Sequence, residues 1–261
     1  MFSDIFPLIP SLINHLNPDN DTSFIGASDV LQELLDQSTG KPNSHNLLTD
    51  PLLIWVDSVG RRIIQSTTEA GMVDEVSHSM CKLLTSLGDH GSDYFSHHFV
   101  SNEPCGPSTK GALIQMFLQA LLSYTGLAGY YGVDEEESEM VLGFWYLFQE
   151  SLWSEDISGK DDSPEEQQQK LAQRAALSKV LYVELVKVLR RKVTYPPHGH
   201  GWAKGGSHVL CFRCIVLNSC CKTRWKNSKC EHALLVRRTG TSAHFAINRY
   251  RRDVGDTLIN A

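Results

Sequence analysis

The stretch SEMVLGFWYLFQESLW, residues 138–153, indicates the fold class most directly. Its apolar residues recur three or four positions apart, which is the spacing of one face of an α-helix. Consecutive aromatic residues also point around more than half of the helix circumference, which predicts a helix buried on several sides. These aromatic residues are Phe144, Trp145, Tyr146, Phe148 and Trp153.

Blocks with the same helical periodicity lie on both sides of this stretch, and turn-forming residues close each of them. We expect helices over residues 3–16, 28–37, 52–66, 72–88, 94–99, 109–125 and 166–192. The pair Asp50-Pro51 predicts a helix start, Gly88 a helix end, and Ser163-Pro164 the start of the last and longest helix. Nothing before residue 200 alternates with the two-residue period of a strand.

Seven or eight amphipathic helices without strands predict an all-α fold, either a bundle or a stack of helical hairpins. The apolar stripes are wide enough to pack on two sides. This width favours the stack, in which an internal helix contacts its own hairpin and the next one.

The composition of the 261-residue chain, with 41% hydrophobic and 21% charged residues, is typical of globular proteins. No apolar run approaches the ~18 residues that a membrane-spanning helix needs. The N-terminal residues 1–16 have neither the basic start nor the small-residue cleavage site of a signal peptide. We therefore expect a soluble, non-secreted protein, whose seven cysteines are reduced thiols.

The charge is divided sharply along the chain. Residues 204–252 hold 11 basic residues and one acidic residue, whereas the remainder holds 13 basic and 29 acidic residues. Five of the seven cysteines lie in the same basic segment. This shift in composition marks a boundary, and the acidic remainder suits a basic partner.

No common catalytic or nucleotide-binding motif is present, so we expect neither enzymatic activity nor a cofactor. The stretch GDHGSDYFSHHF, residues 88–99, contains histidines and aspartates that resemble metal ligands. Their spacing does not place four of them together, because only Asp93 and His97 share a helical face. A polar corner between helices is the better interpretation.

An acidic run precedes the aromatic helix and consists of Asp134, Glu135, Glu136, Glu137 and Glu139. Carboxylates at a helix start are ordinarily explained by the helix dipole, whose positive end they complement. The functional alternative is an acidic surface that binds a basic protein partner. These five residues are our candidate partner-binding site.

The basic segment contains the pattern C-x2-C-x5-C-C-x8-C-x-H, from Cys211 to His232. Its members Cys211, Cys214, Cys230 and His232 could supply four zinc ligands, and the positive charge would suit nucleic acid. The second half lacks the usual paired spacing, and no strand or helix pattern surrounds it. We therefore expect no metal site and no direct contact with nucleic acid.

Several strings resemble the karyopherin-β nuclear transport receptors, in particular the importin-13 and transportin-3 branch in its fungal form. CKLLTSLGDHGSDYF (81–95) resembles a family helix with its Leu-Gly-Asp-His corner. GLAGYYGVDEEESEMVLGFWYLFQESLW (126–153) resembles the family's Gly-Tyr-Tyr loop, acidic run and aromatic helix. VLRRKVTYPPHGHGWAK (188–204) and YRRDVGDTLINA (250–261) resemble the parts that follow.

The resemblance implies an α-solenoid of HEAT-like (ARM-type) repeats that carries protein cargo between cytoplasm and nucleus. Ran GTPase and nuclear pore proteins would be the further partners of the full-length receptor. The matching strings belong to the family's central repeats, so we expect a fragment that by itself binds Ran weakly or not at all. Its repeats would occupy residues 1–204, and residues 249–261 would begin the next repeat helix.

Residues 205–248 do not match the family. In the family only a short stretch separates the two flanking strings, so the simplest explanation is a disordered segment or the product of a retained intron. An alternative interpretation of the whole chain is an unrelated helical-repeat scaffold or adaptor with a C-terminal zinc-binding module.

Overall fold

The computed structural model describes residues 6–40, 44–129, 135–153 and 163–192. These residues are mostly helical, which confirms the all-α class. The α-helices found there are α1 (Ile9–His15), α2 (Asp21–Ser38), α3 (Asp50–Trp55), α4 (Arg61–Ala70), α5 (Glu75–His98), α6 (Lys110–Thr125), α7 (Glu137–Met140), α8 (Leu142–Trp153) and α9 (Pro164–Lys192). A 3₁₀ turn, Phe6–Leu8, precedes α1. A short antiparallel hairpin, whose strands β1 (Pro104–Cys105) and β2 (Ser108–Thr109) have two residues each, precedes α6.

Helices α3 and α4 are parts of one longer helical segment. A π-helical turn, His45–Thr49, leads directly into α3, and a second one, Val56–Gly60, joins α3 to α4. Asp50 is therefore not the N-cap that the Asp-Pro pair predicts, since the helical backbone of the preceding turn already continues through it. Its carboxylate instead accepts a hydrogen bond from the Tyr94 hydroxyl at 2.7 Å.

Helix α5 is longer than predicted, because it continues through Gly88 to His98. The predicted helix end at Gly88 is wrong, and the short helix expected over 94–99 is the last part of α5. Gly88 is needed for close packing: a Cβ at this position would lie 2.6 Å from Cδ2 of Phe144. The absence of a side chain lets α8 approach α5.

The helices form two rows whose members alternate along the chain. In one row α5 contacts both α2 and α8, and in the other α6 contacts α3, α4 and α9. Helices α5 and α6 also contact each other, and α1 contacts α2 and α3. Neighbouring helices within a row are therefore not consecutive in the sequence. For example, α3 and α4 lie between α2 and α5 in the chain.

The core between the rows is rich in aromatic side chains. Phe144, Trp145 and Phe148 of α8 are fully buried, which confirms that this helix is covered on several sides. Phe144 packs edge-to-face on Phe117 of α6 with ring centroids 5.8 Å apart. The indole N–H of Trp145 donates a hydrogen bond to the Thr125 hydroxyl at 2.9 Å, which satisfies its one polar atom.

Helix α9 begins as predicted, because Ser163 and Glu166 form a reciprocal cap. The Ser163 hydroxyl accepts from the Glu166 N–H at 3.3 Å, and a Glu166 carboxylate oxygen accepts from the Ser163 N–H at 3.1 Å. The C-terminal half of α9 packs into the core through Leu185, Val188 and Leu189, and in the N-terminal half Arg174 is buried. No helix in the described ranges is both long and apolar enough to cross a membrane.

Candidate protein-binding cleft

An open cleft of about 790 Å³ lies beside the N-terminal end of α5. Four parts of the chain line it: α2, the turn from α4 into α5, the start of α5, and the residues at the start of α7. We call it the acidic cleft, because six of its lining residues are carboxylates. They are Asp29, Asp74, Glu75, Glu135, Glu136 and Glu137.

The turn between α4 and α5 fixes one wall of the acidic cleft. Gly71 ends α4 with φ of 65°, a left-handed conformation that glycine adopts without strain. Asp74 then caps α5 by accepting a hydrogen bond from the Ser77 N–H at 2.7 Å. The two residues between these fixed points are Met72 and Val73, and Met72 is 75% exposed at the edge of the cleft.

The surface charge of the cleft comes from four exposed carboxylates, Asp29, Asp74, Glu75 and Glu136. The one lysine that lines it is the exposed Lys82. Carboxylates that converge on a partly enclosed surface attract cations more strongly than the same charges spread over a convex surface. The cleft is therefore suited to lysine and arginine side chains.

The five acidic residues predicted as a partner-binding surface differ in their exposure to solvent. Glu136 is exposed in the cleft, Glu139 is half-buried, and Glu135 and Glu137 are buried at 7% and 3% exposure. Asp134 lies outside the described residues. Only Glu136 thus presents an open carboxylate to a partner, while Glu135 and Glu137 line the cleft from its floor.

The buried Glu137 joins α7 to α5. One of its oxygens lies 2.6 Å from Nδ1 of His78, and the other accepts from the Glu136 N–H at 3.0 Å. Burial by itself would raise the pKa of Glu137, but the hydrogen bonds from His78 and from the backbone outweigh it and lower the pKa. Glu137 is therefore ionised at neutral pH and adds negative potential beneath the exposed carboxylates.

The buried Glu135 joins the start of α7 to the end of α9. Its carboxylate lies 2.6 Å from the ammonium of Lys192, and both side chains are almost fully buried. The same carboxylate accepts hydrogen bonds from the N–H and the hydroxyl of Ser138. A buried ion pair with these additional hydrogen bonds holds the loop residues in place, because separating it would leave an uncompensated buried charge.

One buried polar side chain among the described residues of the cleft has no partner. Ser79 is 5% exposed and lines the cleft, and its hydroxyl makes no hydrogen bond. Its backbone carbonyl is occupied, because it accepts from the Ser28 hydroxyl at 3.2 Å. A buried hydroxyl without a partner is unfavourable, so a bound ligand that supplies one would be stabilised.

A smaller depression of about 350 Å³ adjoins the acidic cleft. It shares Met72, Val73 and Glu135 with the cleft, and its other wall is formed by Leu127, Ala128 and Gly129. Met72 therefore stands between the acidic cleft and a depression whose lining is both polar and apolar. This arrangement suits a peptide that carries both basic and apolar side chains.

The histidines and aspartates of residues 88–99 point to different neighbours. The ring of His90 lies tilted against that of His45 with centroids 5.1 Å apart, and the ring of His98 lies tilted against that of Tyr94 with centroids 4.4 Å apart. His97 instead faces the backbone carbonyl of Asp93 at 2.7 Å. Among the described residues no group of three potential ligands is arranged to hold a metal ion.

The zinc ligands of the alternative interpretation, Cys211, Cys214, Cys230 and His232, lie outside the described residues. The two cysteines that the structure does describe, Cys81 and Cys105, are buried thiols. Burial, followed by the nearby Glu137 carboxylate, raises the pKa of the Cys81 thiol. This thiol is therefore protonated and unreactive at neutral pH.

Sequence analysis missed the carboxylates that α2 and α5 contribute to the cleft. The adjacent Asp74 and Glu75 carry a local signature of a helix start, but nothing in the sequence shows that they face Asp29 or Glu136. That juxtaposition depends on how α2, α5 and α7 pack. No known family model matches the chain, and no curated protein is significantly similar to it.

Proposed function

We propose that this chain is a protein-binding part of a nuclear transport receptor of the karyopherin-β type, and that its acidic cleft receives a basic segment of a protein cargo. It acts by binding rather than by catalysis. Ran and nuclear pore proteins are the further partners of such a receptor, which would operate in cytoplasm and nucleus.

The packing of the helices supports HEAT-like repeats. Helices α2, α5 and α8 form one row and α3–α4, α6 and α9 the other, and the consecutive helices α5 and α6 pack on each other as a hairpin. A stack of hairpins has this pattern, because each hairpin contacts mainly its neighbours. The family string at residues 81–95 lies on α5, and the string at 126–153 contains α8 and the cleft residues Glu135, Glu136 and Glu137.

The acidic cleft is the observation that carries the proposal. Its exposed carboxylates attract lysine and arginine, Met72 offers an apolar contact beside them, and the Ser79 hydroxyl lacks a partner. Basic side chains with long methylene stems match such a mixed surface, since the stem packs on apolar atoms while the charged end meets a carboxylate.

The proposal is tested with the full chain and fluorescent peptides of about 12 residues, because an extended peptide of that length spans about 40 Å. One peptide alternates lysine or arginine with leucine, and another replaces every basic residue with glutamate. We expect anisotropy titrations to show binding of the basic peptide only. Binding should weaken as salt rises, because salt screens exposed charges.

Charge-reversed variants locate this binding. Asp29→Lys combined with Glu136→Lys should reduce the affinity about tenfold, because two pairs of charged groups at a protein surface, each worth up to about 1 kcal/mol, are lost. Glu184→Lys changes another exposed acidic residue, on α9 outside the cleft, and serves as the control. Equal effects of the cleft variant and the control would contradict a cleft-specific interaction.

The receptor part of the proposal needs a separate measurement. We expect the chain to be retained on immobilised nuclear pore proteins, and to carry the basic peptide with it. Peptide binding without retention on nuclear pore proteins would support a protein-binding role of the acidic cleft, but it would contradict the proposal that the chain is part of a transport receptor.

A further inference from the structure

Helix α9 has a second apolar stripe on the side opposite to the core. Its packed side carries Leu181, Leu185, Val188 and Leu189, whereas Ala172, Ala176, Val180 and Val183 are exposed. Val180 is 64% and Val183 46% exposed. The exposed residues follow one another at intervals of three or four, so they lie in one line along the helix.

Charged residues continue the same line at both ends of α9. Glu165 lies at its N-terminal end, and Lys187 and Arg190 lie at its C-terminal end, all of them exposed. Together with Gln169 these residues occupy about 80° of the helix circumference. We call this line the outer stripe of α9.

The outer stripes of two α9 helices are complementary when the helices run antiparallel. In an antiparallel pair centred near residue 178, Ala172 faces Val183 of the second helix and Ala176 faces Val180. Gln169 then faces Lys187, and Glu165 faces Arg190. Each larger apolar side chain thus meets a small one, and the acidic end meets the basic end.

We propose that the outer stripe binds a second copy of this chain, with the two α9 helices antiparallel about a twofold axis near residue 178. A twofold axis brings identical surfaces together, which requires the self-complementary order found here. The proposal is independent of the acidic cleft, since none of the outer-stripe residues lines it. The association should be weak, because alanine and valine offer little apolar area.

The first experiment is sedimentation equilibrium of the full chain under reducing conditions, from about 5 to about 300 µM, a range in which a weak dimer changes its population by mass action. We expect a monomer–dimer equilibrium. Val183→Glu should shift it to monomer, while Val30→Glu should not. Val30 is a matched control, because it is another helical valine that is 46% exposed. A monomer at every concentration, or equal behaviour of the two variants, would overturn the proposal.

The second experiment tests the antiparallel order through charge. Glu165→Arg and Arg190→Glu each place like charges opposite one another in a homodimer and should weaken it about tenfold. A mixture of the two variants should form a heterodimer with the original affinity, because both opposed pairs become attractive again. Within one helix these residues are about 37 Å apart, so they cannot restore each other in a single chain. If the mixture does not recover the original dimer affinity, the antiparallel pairing is contradicted. Circular dichroism checks that both variants keep their helical content.

Discussion

Two glycines in helices show how packing decides the role of a single residue. Gly88 lies where α5 meets α8, and an added Cβ would clash with the ring of Phe144 at 2.6 Å. Gly26 lies in α2, and a Cβ there would meet no atom within 4 Å. The same residue type is therefore required by contact at one position and carries only the entropic cost of glycine at the other.

We predict opposite effects of alanine at these two positions. Gly88→Ala should lower the free energy of unfolding by about 1–3 kcal/mol, because Phe144 must move within a packed core. Gly26→Ala should raise it by about 0.5–1 kcal/mol, because alanine loses less conformational freedom in a helix. Urea unfolding followed by circular dichroism measures both changes. A neutral or stabilising Gly88→Ala would show that α5 and α8 are less closely packed.

Three histidines make the junction between α5 and the His45–Thr49 turn sensitive to acid. Burial lowers the pKa of His45, of His98 and of His90, the last to about 4. The charged groups that act on them most directly are Asp50, Lys110, Glu103, Asp93 and Asp36. Each imidazole is therefore neutral in the folded protein at pH 7.

We predict that the protein loses stability as the pH falls from about 6.5, the pKa of a histidine in an unfolded chain, towards 4. In this range the unfolded chain binds protons that the folded chain does not, so protonation favours unfolding. His90→Gln should reduce this loss, whereas replacement of the exposed His15 should not. Melting temperatures at pH 7.5, 6 and 5 test the prediction, and equal slopes for wild type and His90→Gln would contradict it.

At the scale of helices, the sequence predicts which segments are helical better than it predicts where each helix begins and ends. The aromatic helix, the Ser163 cap and the length of α9 follow from local periodicity and capping residues, and the structure confirms them. Gly88 and Asp50 mislead because glycine and Asp-Pro commonly mark helix ends. Here their roles are set by Phe144 and Tyr94, which lie 56 and 44 positions away in the chain.

The acidic run before α8 illustrates the same limit at the site. Its charge predicts an acidic surface, but Glu135 and Glu137 are buried through contacts with Lys192 and His78. These contacts span 57 and 59 positions, so no local pattern could indicate them. The open carboxylates of the cleft instead come from three elements, and their convergence requires the tertiary structure.

At the scale of the whole molecule, the two rows of helices place the acidic cleft and the outer stripe of α9 in different positions. The cleft lies at the N-terminal end of α5, between α2 and the residues leading into α7. The outer stripe lies on the side of α9 that faces away from its core contacts. One surface is thus suited to a basic peptide and the other to a second copy, and variants can perturb them separately.

The central claim, that the acidic cleft binds basic protein segments, is tested most directly by hydrogen exchange of the full chain with and without the lysine- and arginine-rich peptide. The account predicts slower exchange at residues 71–82 and 135–137, and around Asp29, when the peptide is bound. It predicts unchanged exchange over residues 113–120 of α6, which do not line the cleft. Protection confined to other parts of the chain, or none at saturating peptide, would contradict the claim.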